Sequence, residues 1–406
     1  QLDIIEAHVE DARARGATVR HGITVTGILR EGERARGVRW VSSAATARGE
    51  IEARFVLDGS GQRGVIGRAF REEDGIQRAI SVTRYWRDAG GPPGDARANT
   101  VLEATPEGWI WSLPLQNGLR NVTIFAERDP ALRTPGASLK KLYHETIAAS
   151  RHTRGFVEGA RKEGQWRIYD STWYRPRRYA GPGWALIGDA ADVIDPLSSQ
   201  GVYKAMSSAL AAAAVARTTL LYPERAQLAR RFLEEEQRLF YGELVHAMSI
   251  AYRQVPRWLD GAFWRRRDQP HPCAIEPRRP QPAQRAARRD RLRRLGREGA
   301  IPGLRFALRP GARVEPRPVM RRGIIEEREV AIVAGRARAV EIDREPRLGV
   351  LLSLLDGDAA VRDLVGAYAR AAGTPVSAAL RERLMESLVD LHEEGVIGIL
   401  GDDATP

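Results

Sequence analysis

The chain has 406 residues, 43% of them hydrophobic and 29% charged, which fits an ordinary soluble globular protein of two or three domains. Its longest apolar patch, Ala209–Ala216, is far short of the ~18 residues of a membrane span, and a lone Cys273 excludes an internal disulfide framework and a cysteine-based zinc site. The net charge of +12 owes most to one stretch, Arg257–Arg294, where twelve arginines face four acids; with only four lysines in the chain, this reads as coding bias rather than a phosphate-binding surface, so no nucleic-acid partner is expected.

An amphipathic helix opens the chain (Leu2, Ile5, Val9, Ala12), followed by a short strand over Gly16–Arg20. Alternation then predicts strands at Ile23–Leu29, Gly37–Trp40 and Ile51–Asp58, the last ending in Gly59-Ser60-Gly61. Four more strands follow at Arg78–Trp86, Asn99–Glu103, Trp109–Leu115 and Asn121–Ala126, the last two joined by a hairpin through Asn117-Gly118. Helices are predicted over Ser138–Ser150 and Thr153–Lys162, and Gln165–Trp173 returns toward the first unit. Two further helices cover Gly201–Leu221 and Pro223–Gln254. Residues 257–301 read as a basic, Arg/Pro-rich, poorly packed linker with helical pieces. Beyond it, Val314–Val333 alternates like two strands and Val340–Asp343 adds a short one. Three helices then cover Leu348–Leu355, Val361–Ala372 and Ala378–Glu394, before the apolar Gly395–Leu400.

The chemistry concentrates in Leu186–Met206, LIGDAADVIDPLSSQGVYKAM. A buried strand runs into Gly188-Asp189, the chain turns at Asp195-Pro196, and Ser198-Ser199-Gln200-Gly201 opens an Ala-rich helix. That order gathers a carboxylate, glycine-permitted backbone and the unpaired N–H groups of a helix start, which together suit an electron-rich ring or a hydroxylated chain. Asp189 also reads as a plain helix cap, and Asp195-Pro196 as a plain turn.

This stretch resembles the second flavin-contact motif of FAD-dependent monooxygenases, geranylgeranyl-reductase-like enzymes and flavin-dependent halogenases. The resemblance implies FAD as cofactor. Gly188, Asp189, Asp195, Pro196, Ser199, Gln200 and Gly201 would then bind it, Asp189 through the ribityl hydroxyls and the amides near Gly201 at the pyrimidine edge. Phe55–Gly61 resembles the family's returning strand, placing Asp58, Gly59 and Gly61 at the cofactor too. In the family a strand, a G-x-G-x-x-G loop and a helix precede this succession, and the expectation is a chain lacking that unit at its N-terminus. The alternative is that Gly59–Gly64, which fits the pattern by letters, is itself the dinucleotide loop. Trp109-Ile-Trp111-Ser-Leu-Pro114 is similar to the W-x-W-x-[IL]-P signature of flavin-dependent halogenases, which makes Trp109, Trp111 and Pro114 candidates for the substrate pocket; alternation on one strand face equally suits plain core. Where halogenases tend to carry Ser or Thr before the glycine matching Gly201, this chain has Gln200.

The implied fold is α/β plus α+β. A partial Rossmann-like FAD-binding domain (1–75 and 171–256) carries an inserted antiparallel substrate sheet (76–170), and the linker 257–301 leads to a winged helix (302–406). That last unit resembles the peptide-binding winged helix of enzymes that modify ribosomal peptides, through Leu354–Gly357 and Leu388–Leu391. The implied reaction is FAD-dependent hydroxylation of an aromatic substrate, borne on a peptide or carrier, with a reductase or NAD(P)H as electron donor. One relative with that logic hydroxylates a peptidyl tryptophan during tryptophylquinone biogenesis. Halogenation is the alternative, and a non-catalytic peptide-binding remnant of a flavoenzyme the third reading. Arg63 and Arg68 could meet a flavin phosphate or simply solvent, and Trp173, Tyr174 and Tyr179 could line the pocket or pack as core. The seven histidines lack metal spacing, so no metal is expected; nor is a membrane partner, and a cytoplasmic location is the default.

Overall fold

In the computed structural model, residues 2–88, 98–116, 118–128, 137–255, 260–277, 280, 282–342 and 347–400 are described. Asn117 of the expected hairpin, parts of the linker (257–259, 278–279, 281) and Asp343 lie outside them.

Helix α1 (Leu2–Ala14) closes at Gly16, whose φ of +91° lets the amides of Gly16 and Ala17 turn back onto the carbonyls of Arg13 and Ala12. That closure takes up the start of the strand expected over Gly16–Arg20, and none forms. Strands β1 (Ile23–Glu31), β2 (Arg34–Ser42) and β3 (Arg48–Glu52) make an antiparallel meander. Strand β4 (Val56–Asp58) lies parallel to a strand far along the chain, β13 (Trp184–Leu186), and ends level with it, Asp58 opposite Leu186. Before that pairing come β5 (Arg71–Glu73), which joins β11 (Tyr174–Pro176), and β12 (Ala180–Gly181), which flanks β13.

Between these halves sits a five-stranded antiparallel sheet of β6 (Ala79–Arg87), β7 (Val101–Thr105), β8 (Gly108–Pro114), β9 (Leu119–Glu127) and β10 (Arg161–Asp170), in the order β10-β6-β9-β8-β7. Its period-two alternation sorts side chains cleanly. Val82, Ile110, Val122 and Ile124 pack under α2 (Ala137–Ala149) with Leu139, Tyr143 and Ile147. Ser81, Thr83, Trp111, Thr123 and Phe125 take the opposite face. The helix expected over Thr153–Lys162 stops early: α3 is Thr153–Val157, Gly159 turns with a φ of +74°, and Arg161 and Lys162 already pair with Arg87 and Trp86 in β10.

Helices α4 (Gly201–Leu221) and α5 (Ala226–Arg253) cover β13, with Ala211, Ala212, Ala214 and Val215 against Ala229, Phe232 and Leu233. The linker is better packed than its composition suggests. In α6 (Ala262–Arg267), Phe263, Trp264 and Arg267 are buried; the Trp264 indole donates to the Thr105 carbonyl at 2.7 Å and Arg267 pairs with Glu127 at 2.8 Å. An aromatic doublet and one paired guanidinium outweigh the basic background. Helix α7 (Pro282–Arg297) lends Leu292 to the last core.

That last unit contains β14 (Arg305–Leu308), β15 (Arg313–Arg321), β16 (Ile324–Ile332), α8 (Leu348–Ser353), β17 (Asp356–Ala360), α9 (Val361–Ala372), α10 (Ala378–Glu393) and β18 (Ile397–Ile399). Strand β14 lies between β17 and β18, while β15 and β16 form a hairpin. The hairpin docks on the helices before it: Ile325 is fully buried among α4 and α5 side chains, and its amide donates to the Thr218 hydroxyl at 2.8 Å. The short strand expected from Val340 is a single bridge to Ala331. No helix of the described residues is long and apolar enough to cross a membrane.

Candidate functional site

Parallel β4 and β13 place two glycine turns side by side at their C-terminal ends, the location at which open parallel sheets bind ligands. In the first turn, Asp58 takes four hydrogen bonds. One carboxylate oxygen accepts from the Ser60 amide and hydroxyl, the other from the amides of Ile66 and Gly67. Both oxygens are thereby saturated. Gly61 turns with a φ of +66°, but Gly59–Gly64 leads only into the three-residue 3-10 turn Gly61–Arg63. The alternative of a dinucleotide loop here is therefore not met, since no α-helix start stands behind it.

The second turn is tied to the first. A Cβ on Gly67 would lie 2.0 Å from the Ala190 carbonyl oxygen, so the two loops touch backbone to backbone. Gly188, at a φ of +56°, donates its amide to the Ser208 hydroxyl of α4 at 2.9 Å. Asp189 leaves its side chain 48% exposed, and the ammonium of the buried Lys204 reaches it at 3.2 Å. The same ammonium sits 3.0 Å from the buried Asp192 carboxylate and donates to the Asp192 carbonyl. Burial alone would lower the Lys204 pKa, but the charges of Asp192 and Asp189 hold it above the ordinary lysine value.

Asp195 is turned inward. Its carboxylate accepts from the Leu197 amide at 2.9 Å and from the Tyr252 hydroxyl, and Pro196 rather than Asp195 faces the open space. Burial raises the Asp195 pKa, with Tyr252, the Leu197 amide and Arg267 pulling the other way. Ser199 then adopts a φ of +54°, uncommon for a residue with a side chain and frequent at ligand sites. Gln200 precedes α4 without a side-chain capping bond, and a Cβ on Gly201 would meet nothing within 4 Å. Nothing in the protein itself demands glycine there, and the space in front of the helix start is available to a ligand.

These parts enclose a cavity of about 510 Å³. One wall is Gln62, Asp189, Pro196, Ser198, Ser199, Gln200, Gly201 and Lys204; the other is the sheet face with Ser81, Thr83, Trp111, Thr123, Phe125 and Tyr169. Of the residues singled out in the sequence, Asp189, Pro196, Ser199, Gln200, Gly201 and Trp111 line it. Asp58, Gly59, Gly61, Gly188 and Asp195 shape its supporting loops. Trp109 is core, stacked on Phe125 at 4.1 Å, and Pro114 pairs with Arg120 away from the cavity. Trp173, Tyr174 and Tyr179 are buried core, Tyr174 donating its hydroxyl to the Asp189 carbonyl, while Arg63 and Arg68 are exposed. Lys204 is the residue that sequence reasoning missed; its signal was a lone lysine three residues into an otherwise Ala-rich helix. No group of ligands for a metal occurs among the described residues.

The sequence model of the tryptophan halogenase family matches residues 7–290. A tryptophan 2-halogenase of Chondromyces crocatus is 29% identical over 266 residues, 64% of this chain and 50% of that protein. The chain thus spans half the length of that curated relative. Among solved structures, the peptidyl tryptophan dihydroxylase QhpG superposes with a TM-score of 0.68 over 95% of this chain and 78% of its own, at 23% identity. The flavin-dependent halogenase CmlS gives 0.66 over 96% and 76%, at 21% identity.

Proposed function

The chain belongs to the tryptophan halogenase family, matched over residues 7–290, and from that premise we propose that it is an FAD-dependent oxygenase that hydroxylates an aromatic ring borne on a peptide or carrier. FAD is the cofactor of this family, and flavin-dependent oxidation is its chemistry. The observation that carries the reading is the pairing of the two cavity walls. A helix start and a half-exposed carboxylate face a sheet surface bearing Trp111, Phe125 and Tyr169.

The residues present fit the flavin. The first-turn amides of α4, uncapped by Gln200, would stabilise negative charge on the ring's pyrimidine edge. Asp189 would accept hydrogen bonds from ribityl hydroxyls, with the Lys204 ammonium 3.2 Å away on its other side. Bound FAD, once reduced by a reductase or NAD(P)H, supplies the electrons that activate dioxygen. The sheet wall would face the substrate ring and keep water out, the Thr83 hydroxyl donating to that of Thr123 at 2.8 Å and Thr123 donating on to Asn121 Oδ1 at 2.9 Å. No side-chain base is required. The C-terminal unit, read as winged-helix-like, would hold the peptide or carrier.

Halogenation is the second reading, favoured by Trp109-Ile-Trp111-Ser-Leu-Pro114 and by the family. Gln200, lining the cavity where halogenases tend to have Ser or Thr, supports hydroxylation. The test is to reconstitute the chain with FAD, reduce it with a flavin reductase, and offer a tryptophan-bearing peptide with and without chloride or bromide. Gain of one oxygen regardless of halide supports hydroxylation; gain of a halogen replaces it with the second reading. A chain that takes up no flavin supports the third, a peptide-binding remnant.

A further inference from the structure

Strand β10 ends the antiparallel sheet: in the order β10-β6-β9-β8-β7, no described strand pairs with its outer side. Its two halves treat that edge differently. Over Arg161–Trp166 it is blunted. Arg161 pairs with Asp88 at 2.6 Å, Glu163 pairs with Arg87, and Gly164 turns at a φ of +66°. The register with β6 shifts between Glu163 and Arg167. Charge and a bulge are the usual means by which a sheet edge keeps other chains off. From Arg167 to Asp170 the pairing with β6 is regular, and Ile168 and Tyr169 stand 38% and 49% exposed.

The ladder fixes which backbone groups face outward. Just past β10, the Ser171 amide donates to the Ala79 carbonyl and the Trp173 amide to the Gln77 carbonyl, both at 3.0 Å. Alternation then turns the backbone groups of Tyr169 and Arg167 toward Ser81 and Thr83 of β6, and those of Ile168 and Asp170 outward. Among the described residues, no backbone partner meets that outward pair. Asp170 spends its carboxylate on Arg128, at 2.9 Å, and on the Thr172 amide, at 3.0 Å. Side chains alternate the other way: Tyr169 and Ser171 share the face of Ser81 and Thr83, and all four line the cavity. The unguarded half of the edge is thus the half that borders the cavity.

We propose that the Arg167–Asp170 edge receives the substrate's own peptide as an added antiparallel strand, which delivers its aromatic side chain into the cavity. The proposal rests on the peptide-borne reading above and names the surface that holds the peptide beside the reacting ring. A residue opposite Tyr169 occupies a non-hydrogen-bonded site, where facing Cα atoms approach to about 4.5 Å and its side chain takes the cavity face. Its two neighbours exchange hydrogen bonds with Ile168 and Asp170. Backbone pairing gives affinity that ignores sequence, while the cavity selects the side chain. A free aromatic amino acid has no flanking residues to make those bonds.

The test uses the full chain and a labelled, capped peptide, Thr-Val-Thr-Trp-Thr-Val-Thr, read by fluorescence anisotropy with and without FAD. N-methylation of the two residues flanking tryptophan removes amides that face β10; N-methylation of the tryptophan removes one that faces away. Binding is expected to weaken at least about tenfold for the first and less than about twofold for the second. Ile168→Pro deletes an outward N–H while leaving the ladder to β6, and should weaken binding about tenfold. The methylated peptides leave the protein untouched, so they decide the matter even if Ile168→Pro folds poorly. Failure of the parent peptide to bind, equal loss at both kinds of position, or unchanged affinity when alanine replaces tryptophan overturns the proposal. So does a dimer of the chain that Ile168→Pro dissociates, because a second copy would then hold the edge. Turnover separates the two readings. Oxygenation blind to the N-methyl pattern overturns the edge and keeps the flavin reading; alternating binding without flavin uptake supports the edge and overturns the flavin reading.

Discussion

Asp58 and Asp189 stand beside glycines at the ends of neighbouring parallel strands, one as the last residue of β4 and the other three residues past β13, yet their surroundings divide their work. Asp58 is 5% exposed and has every lone pair taken by its own loop. Asp189 has half its side chain in the open and a single ammonium beside it, leaving acceptor capacity toward the cavity. A carboxylate saturated by amides builds the turn; one held from behind by a lysine is available to a ligand.

Three substitutions test that contrast. Lys204→Met is expected to cost the most, about 3–5 kcal/mol in urea unfolding, because Asp192 would remain buried without its counter-charge. Asp58→Ala follows at about 2–3 kcal/mol, since the amides of Ile66 and Gly67 would lose their acceptor inside the protein. Asp189→Asn should leave the unfolding midpoint nearly unchanged and weaken FAD binding about tenfold, roughly 1.4 kcal/mol, read by flavin fluorescence titration. If Asp189→Asn unfolds the chain as readily as Asp58→Ala does, the division of labour between the two carboxylates is wrong.

The smallest effect concerns Asp195, a third aspartate, whose pKa burial raises. Its folded pKa lies above its unfolded one, so the native state binds the proton more tightly. Its contribution to stability is present at low pH and is lost as pH rises from the ordinary carboxylate value through the raised one. Unfolding midpoints measured across that window should show this decline in the parent chain and a flatter profile in Asp195→Asn.

The extent of α4 was legible to the residue, because Ser-Ser-Gln-Gly punctuates its start and an unbroken Ala-rich run follows. Four strands of the antiparallel sheet were legible from alternation, with boundaries displaced by one or two residues, whereas the start of β10 read as the end of a helix. Whether an aspartate works for its own loop or for a ligand was not, since both sites read as Asp beside Gly. The difference lies in which amides the fold brings within 3 Å, and Ile66 and Gly67 are eight and nine residues from Asp58. The linker misled for a related reason. Its arginines dominate the composition, while Phe263, Trp264 and one buried Arg267 decide the packing. Trp109 and Trp111 share a strand face, but only the third dimension shows that Phe125 covers one and the cavity receives the other.

The contact between Gly67 and Ala190 carries a mechanical consequence. With no room for even a methyl group between them, neither turn can move toward the other without displacing it. Widening the cavity for a bulky ligand would therefore fall to the opposite wall, the sheet carrying Trp111 and Tyr169, or to the Ser198–Gln200 lip.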